Sequence, residues 1–215
     1  MHTVDHPFSP RANVTLKFQS WLNELDFIIV HSPLQEYELQ IQGIDPQKIN
    51  RIPHGTLINP HLCKTREELC ESLGIEYDFD GVVLTIPGFI RRDKGFDVLF
   101  ESLKILKDIK FTLLIAGEPQ EEEIVRLIET SEFKITLMER YLSSDEILRA
   151  VALADAIVLP YRDKRQYSVS GILHLSMGSL KPIVGTRVPR LIEFYQHAPR
   201  LTVPPGNPNA LAEKI

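Results

Sequence analysis

The segment Gly88-Phe89-Ile90-Arg91-Arg92-Asp93-Lys94-Gly95 sets three cations between two glycines. Guanidinium and ammonium groups hold anions through charge-assisted hydrogen bonds, and glycine lets backbone approach a ligand closely. A second basic segment, residues 161–169, carries Arg162, Lys164 and Arg165 and leads into Ser170, Gly171 and Ile172, which open a predicted helix. First-turn N–H groups there add to the cations, and the two segments together suit a small anion, most naturally a diphosphate. The competing reading is that these charges are solvated loop residues, the ordinary fate of a single Lys or Arg. It bears more on Lys164 and Arg165 than on Arg91 and Lys94, which glycines bracket.

Gly117, in Ala116-Gly117-Glu118-Pro119, is open to two readings: close approach of backbone to a ligand, or a plain strand-to-helix turn. Tyr141 and Leu142, just before Ser143, either border a nucleotide base or pack in the core. The histidines show no metal-ligand spacing, and no metal site is expected. His31 and His54 follow strands and face an interdomain cleft in this reading, His174 lies inside a helix as a structural residue, and His2 and His6 are the candidates for substrate contact. Cys63 and Cys70 read as reduced thiols rather than a disulfide or zinc pair. No Ser/His/Asp or Cys/His nucleophile arrangement can be recognised, and the Gly-x-Gly-x-x-Gly fingerprint is absent, which weakens an oxidoreductase reading.

Elements must bring the basic segments together. An apolar strand at 82–86 precedes the first, and Phe96, Leu99, Phe100, Leu103 and Leu106 follow it at helical i, i+3, i+4 spacing. Further strands at 111–115, 134–137, 156–159, 182–185 and 201–203 alternate with helical patterns, which predicts a Rossmann-like, doubly wound α/β domain with a parallel sheet. In the common order 3-2-1-4-5-6, the loops after strands one and four face each other across the topological switch point. Helix starts are marked by Thr65 with Glu68, Ser143 with Glu146, and Asn207-Pro208; Gly43 and Gly74 mark stops. Upstream, short strands at 26–31 and 49–52 flank a helix over 33–42. Pro53-His54-Gly55 and Asn59-Pro60 then break the pattern. We place a boundary near Leu57, with 1–57 as the tail of a second Rossmann-like domain, too small for a core of its own, and 58–215 as the ligand-binding domain. Both ends read as cut, the last helix about two turns after it begins.

A formal charge of -5 argues against broad nucleic-acid binding, so the basic loops should serve a local, small anion. No apolar run approaches the roughly 20 residues of a membrane span, and the polar first residues contain no signal-peptide core.

With these motifs in hand, the chain resembles glycosyltransferase family 4, of the GT-B architecture of two Rossmann-like domains. DFIIVHSPLQEYEL and GIDPQKINRIPHG are similar to the family's passage out of its acceptor domain, and GFIRRDKGFDVLFESL to its first donor-domain loop and helix. RYLSSDEI, ADAIVLPY, VSGILHLSMGSLKPIVGT and VPPGNPNALAEKI resemble later signatures in the expected order. The resemblance implies retaining transfer of a hexose-type sugar from a UDP- or GDP-sugar to a glycan or lipid-linked acceptor, with no required metal or cofactor. It further implies cell-surface polysaccharide synthesis in the cytoplasm, with at most peripheral membrane association. By matching position, Arg91 and Lys94 neutralise the leaving diphosphate, Ser170-Gly171 bind the same phosphates, and His2 or His6 corresponds to a family histidine near the reacting sugar. The donor-binding set is then Gly88, Gly117, Tyr141, Leu142, Arg162, Ser170, Gly171 and Ile172. Three departures stand out: Phe89 replaces an arginine, Tyr167 and Leu175 occupy the positions of two glutamates, and a glycine pair is replaced around Val188-Pro189. A nucleotide-binding module without turnover and a sugar-nucleotide epimerase are the alternatives.

Overall fold

The computed structural model describes residues 3–5, 21–107, 109–164 and 166–215. Its N-terminal part contains β1 (Thr3–Asp5), β2 (Ile28–Val30), α1 (Pro33–Ile41) and β3 (Ile49–Arg51). β2 and β3 pair in parallel across α1. The helix begins where Ser32 and Gln35 cap each other's backbone N–H groups and Pro33 supplies a preset φ. Val4, Ile28, Val30, Leu39 and Ile49 bury together, so this part does hold a small core, against the expectation of none. Trp21, Phe27, Tyr37 and Ile52 nevertheless remain more than half exposed.

The second part opens with α2 (Arg66–Leu73), started by the Thr65 and Glu68 capping box and ended at Gly74. Then come β4 (Val82–Pro87), α3 (Phe96–Leu103), β5 (Phe111–Ala116), α4 (Glu122–Glu129), β6 (Ile135–Met138), α5 (Ser144–Ala152) and β7 (Ala156–Leu159). After β8 (Gln166–Ser168) follow α6 (Gly171–Met177), β9 (Ile183–Thr186), α7 (Ile192–His197), β10 (Thr202–Val203) and α8 (Pro208–Ala212). Six of these strands form one sheet in the order β10-β9-β7-β4-β5-β6, parallel throughout. Counted within the sheet this is 3-2-1-4-5-6, as predicted, with the switch point between β4 and β7.

Near-continuous apolar runs in β4, β5 and β7 follow from burial on both faces. On one face Leu99, Leu103 and Phe96 of α3 pack on Leu84, Ile86, Leu113 and Ile115. On the other, α5 brings Ile147 and Val151 against Val83, Leu114 and Ile157. Full burial of each such side chain contributes about 1.5–3 kcal/mol.

The parts touch at several places. β1 pairs antiparallel with β8, and Tyr167 of β8 packs on the small N-terminal core. The connecting residues 52–59 carry no helix or strand, but Asn59 is buried, and its side-chain amide donates to the Leu148 carbonyl at 2.7 Å and to Ser179 Oγ at 2.8 Å.

Candidate functional site

Loops at the carboxyl edge of the sheet enclose a cleft of about 450 Å³, within the range of roughly 300–1,000 Å³ usual for small-molecule sites. The first loop contributes Gly88, Phe89, Arg91 and Lys94, and the second Gly117 and Glu118. Tyr141 and Leu142 follow β6, Tyr161 follows β7, and Ser170, Gly171 and Ile172 begin α6. Thr3 of β1 and Arg190, after β9, complete the wall.

Two glycines set the floor. Gly88 adopts φ +92°, a conformation that disfavours any side chain, and a Cβ there would meet Ile172 Cγ1 at 2.8 Å. At Gly117 a Cβ would fall 2.3 Å from the Gly88 carbonyl oxygen. Gly117 thus serves a purpose beyond turning the chain: it lets the loops after β4 and β5 lie backbone against backbone, with Gly88 N–H donating to the Ala116 carbonyl at 2.8 Å.

Lys94 is 3% exposed. Its ammonium donates to the Pro87 carbonyl at 3.0 Å and to the Tyr161 hydroxyl at 2.8 Å, and lies 4.5 Å from the Tyr161 ring centroid. An ammonium carries three hydrogens, so one remains beyond these two bonds. Tyr161 is also buried, and its hydroxyl lies 3.2 Å from Ser170 Oγ. Burial resists ionisation of the phenol, yet the Lys94 charge and hydrogen bond, the Ser170 hydrogen bond and the Arg190 charge together bring it below the ordinary tyrosine value.

The organising acid is Asp93, 2% exposed. Arg190 Nη1 reaches its carboxylate at 2.9 Å and Lys164 Nζ at 3.5 Å, while Arg91 Nε makes ionic contact at 2.6 Å without hydrogen-bond alignment. Burial pushes the Asp93 carboxyl up, but Arg91, Arg190, Lys164 and Lys94 outweigh it and hold the group below the usual carboxylate value. Arg190 is fixed further by donating to Ser168 Oγ at 2.9 Å. Cations from three loops are therefore gathered on one buried carboxylate, and two of them, Arg91 and Arg190, line the cleft.

The structure brings together Gly88, Arg91, Lys94, Gly117, Tyr141, Leu142, Ser170, Gly171 and Ile172. Arg162 departs from expectation. Its guanidinium turns away to the carboxylate of Asp97 on α3 and does not line the cleft, because a nearby acid on the helix surface competes for it. Arg92 similarly pairs with Glu121 and Glu123. His2, His6 and Arg165 lie outside the described residues. The two readings of Tyr141-Leu142 divide: Tyr141 is exposed at the cleft rim, whereas Leu142 belongs to the core beneath. Lys164, read mainly as solvated, instead contacts Asp93. Ser170 caps its helix by accepting the Leu173 N–H at 3.2 Å, and open space lies beside Gly171.

His174 is buried, with Nε2 at 2.8 Å from Glu193 and Nδ1 at 3.0 Å from Thr56 Oγ1. It stacks on His54 at 4.3 Å, and His54 meets His31 edge-on at 5.8 Å. Neither His31 nor His54 lines this cleft; His54 instead stacks on His174 of α6. Among the described residues no three metal-binding side chains are arranged to hold an ion, and no helix is long and apolar enough to cross a membrane.

Sequence reasoning missed Tyr161, Asp93 and Arg190. Arg190 was findable in principle, since β9 neighbours β7 in the predicted strand order and the loop after it must reach the same edge. Tyr161 and Asp93 lay within the loops singled out, but their importance comes from burial, which loop composition does not reveal.

A doubly wound parallel sheet with a cationic crevice at its switch point defines this as a Rossmann-like α/β protein. The chain belongs to the family of group 1 glycosyl transferases, whose sequence profile matches residues 80–215. A GDP-mannose:glycolipid 4-beta-D-mannosyltransferase of Xanthomonas campestris pv. campestris is 29% identical over 100 residues, which is 45% of this chain and 28% of that one. The Anabaena protein HepE, crystallised with UDP and glucose, superposes with a TM-score of 0.74 at 16% identity, over 93% of this chain and 56% of its own. Sucrose-phosphate synthase from Thermosynechococcus elongatus gives 0.74 at 20% identity, over 96% and 53%. These structural likenesses establish the GT-B fold. The chain spans little more than half the length of these two solved structures, and its match takes in less than a third of the mannosyltransferase.

Proposed function

We propose that this chain carries the donor site of a glycosyltransferase that moves a hexose-type sugar from a UDP- or GDP-sugar to a glycan or lipid-linked acceptor, in cell-surface polysaccharide synthesis. The observation that carries this reading is the cleft at the switch point, where buried Lys94 stands with Arg91 and Arg190. Loss of a nucleoside diphosphate builds negative charge on the leaving phosphate. Preorganised cations lower that barrier because they meet the charge without reorganising. Residues 58–215 form the donor domain in this reading. Residues 1–57 belong to the acceptor domain, whose His6 supplies the contact beside the reacting sugar. The free thiols of Cys63 and Cys70 fit a reducing, cytoplasmic setting, with the acceptor met at the inner membrane face.

The family resemblance favours retention at the anomeric carbon. The name of the Xanthomonas relative favours inversion, since it describes a β-mannosyl product and GDP-mannose ordinarily carries an α linkage. Product configuration read by NMR separates the two.

Calorimetric titration of UDP and GDP tests the site. Each charge-assisted hydrogen bond contributes about 1.5–3 kcal/mol, so Arg91→Ala with Lys94→Ala should weaken the preferred nucleotide by roughly 100-fold or more. Equal affinity in the double variant would refute the phosphate assignment.

A further inference from the structure

The hydrogen bonds around Tyr161 have only one consistent direction. Lys94 can only donate, and it does so to the Tyr161 oxygen at 2.8 Å. The phenol hydrogen of this buried side chain then needs an acceptor, and Ser170 Oγ lies at 3.2 Å. If Ser170 donated to Tyr161 instead, the phenol hydrogen would be buried without a partner, which is costly. Ser170 Oγ also accepts the Leu173 N–H. A hydroxyl has two lone pairs and one hydrogen, so both Ser170 lone pairs are taken and its hydrogen is left to donate. Thr186 Oγ1 steadies the arrangement by donating to the Tyr161 backbone carbonyl at 2.7 Å.

We propose that Tyr161 is a positioning residue that fixes the direction of the Lys94–Tyr161–Ser170 chain, so that both ends present hydrogens to one phosphate group of the donor. The chain works by polarity. Lys94 keeps a third hydrogen for the ligand, and Ser170 is prevented from turning its own hydrogen inward. This deepens the nucleotide-sugar reading of the cleft and rests on it.

Inorganic pyrophosphate is the direct probe, because it needs no base or sugar recognition. On the 215-residue chain, Tyr161→Phe should weaken pyrophosphate by about tenfold, the lower end for losing one charge-assisted hydrogen bond, because Ser170 keeps its hydroxyl but loses the partner that directs it. Ser170→Ala should weaken it similarly. A pH series adds a readout that packing alone would not move. An ionised Tyr161 would accept from Lys94 and Ser170 together, reversing the Ser170 end and adding a negative charge among Lys94, Arg91, Arg190 and Asp93. Wild-type affinity should therefore fall as pH rises, in step with phenolate absorbance, and Tyr161→Phe should lack that step. Wild-type affinity and an unchanged pH profile in Tyr161→Phe would overturn the proposal, as would wild-type affinity in Ser170→Ala should the phenylalanine variant not fold. Failure of the wild type to bind pyrophosphate would overturn it as well. Pyrophosphate binding without UDP or GDP binding would refute the nucleotide reading and leave the hydrogen-bond chain standing. Nucleotide binding indifferent to Tyr161→Phe would do the reverse.

Discussion

Asp93→Asn should destabilise the fold by about 2–3 kcal/mol at neutral pH. Removing one partner of a buried ion pair typically costs about 3–5 kcal/mol, because the remaining charge stays desolvated. Here the orphaned groups are not fully buried: the side chains of Arg91, Arg190 and Lys164 are 32%, 21% and 46% exposed. Water would recover part of the loss, which sets the lower figure. Asparagine keeps the shape, so cavity effects stay small. For a urea slope of about 2–3 kcal/mol per M, the unfolding midpoint should drop by about 1 M. The pH dependence carries a sign. Asp93 is held below the usual carboxylate value in the fold, so its stabilisation is fully present above its unfolded value of about 4. It is lost as pH falls through the folded value, and the gap between wild type and variant should close over that acidic range. A midpoint within about 0.2 M of wild type at neutral pH, or a gap that does not narrow in acid, would refute the role given to this carboxylate.

Gly117→Ala should cost about 3 kcal/mol, the upper end for overpacking, because backbone rather than a side-chain tip meets the new methyl group. Calorimetry should also register weaker nucleotide binding as the Gly88 loop is displaced; wild-type stability and affinity would disprove the backbone-to-backbone packing. Leu180→Gly should stabilise by about 0.5 kcal/mol, since Leu180 is exposed at φ +54°. The left-handed conformation costs about 1–2 kcal/mol, and glycine gives back about 0.5–1 in unfolded-chain entropy. Loss of stability in that variant would argue against strain at this helix end.

The fold was legible because each of its signals is local. Capping at Thr65 and Ser143, stops at Gly74, and apolar runs at β4, β5 and β7 all act within a few residues of the elements they define. Parallel pairing then leaves few topologies, and the common order holds here. The N-terminal core was less legible, because Tyr167 is recruited to it from well beyond the N-terminal segment through a strand whose short, polar sequence gives no strand signal.

At the site, the sequence locates cations but does not say which acid each will meet. Arg162 and Arg91 look alike as loop arginines, yet Asp97 draws one outward while Asp93 holds the other at the wall. The difference is burial of the acid: the Asp97 side chain is 45% exposed, whereas Asp93 is enclosed and can only be satisfied by cations that come to it. The same logic explains Arg190, which reaches Asp93 across 97 positions of sequence. A buried carboxylate that must be neutralised holds Arg91 and Arg190 at the cleft, and with Lys94 they exceed its own charge. That surplus is what an incoming diphosphate would meet, so the residue that most resembles an obstacle to anion binding is the one that assembles it.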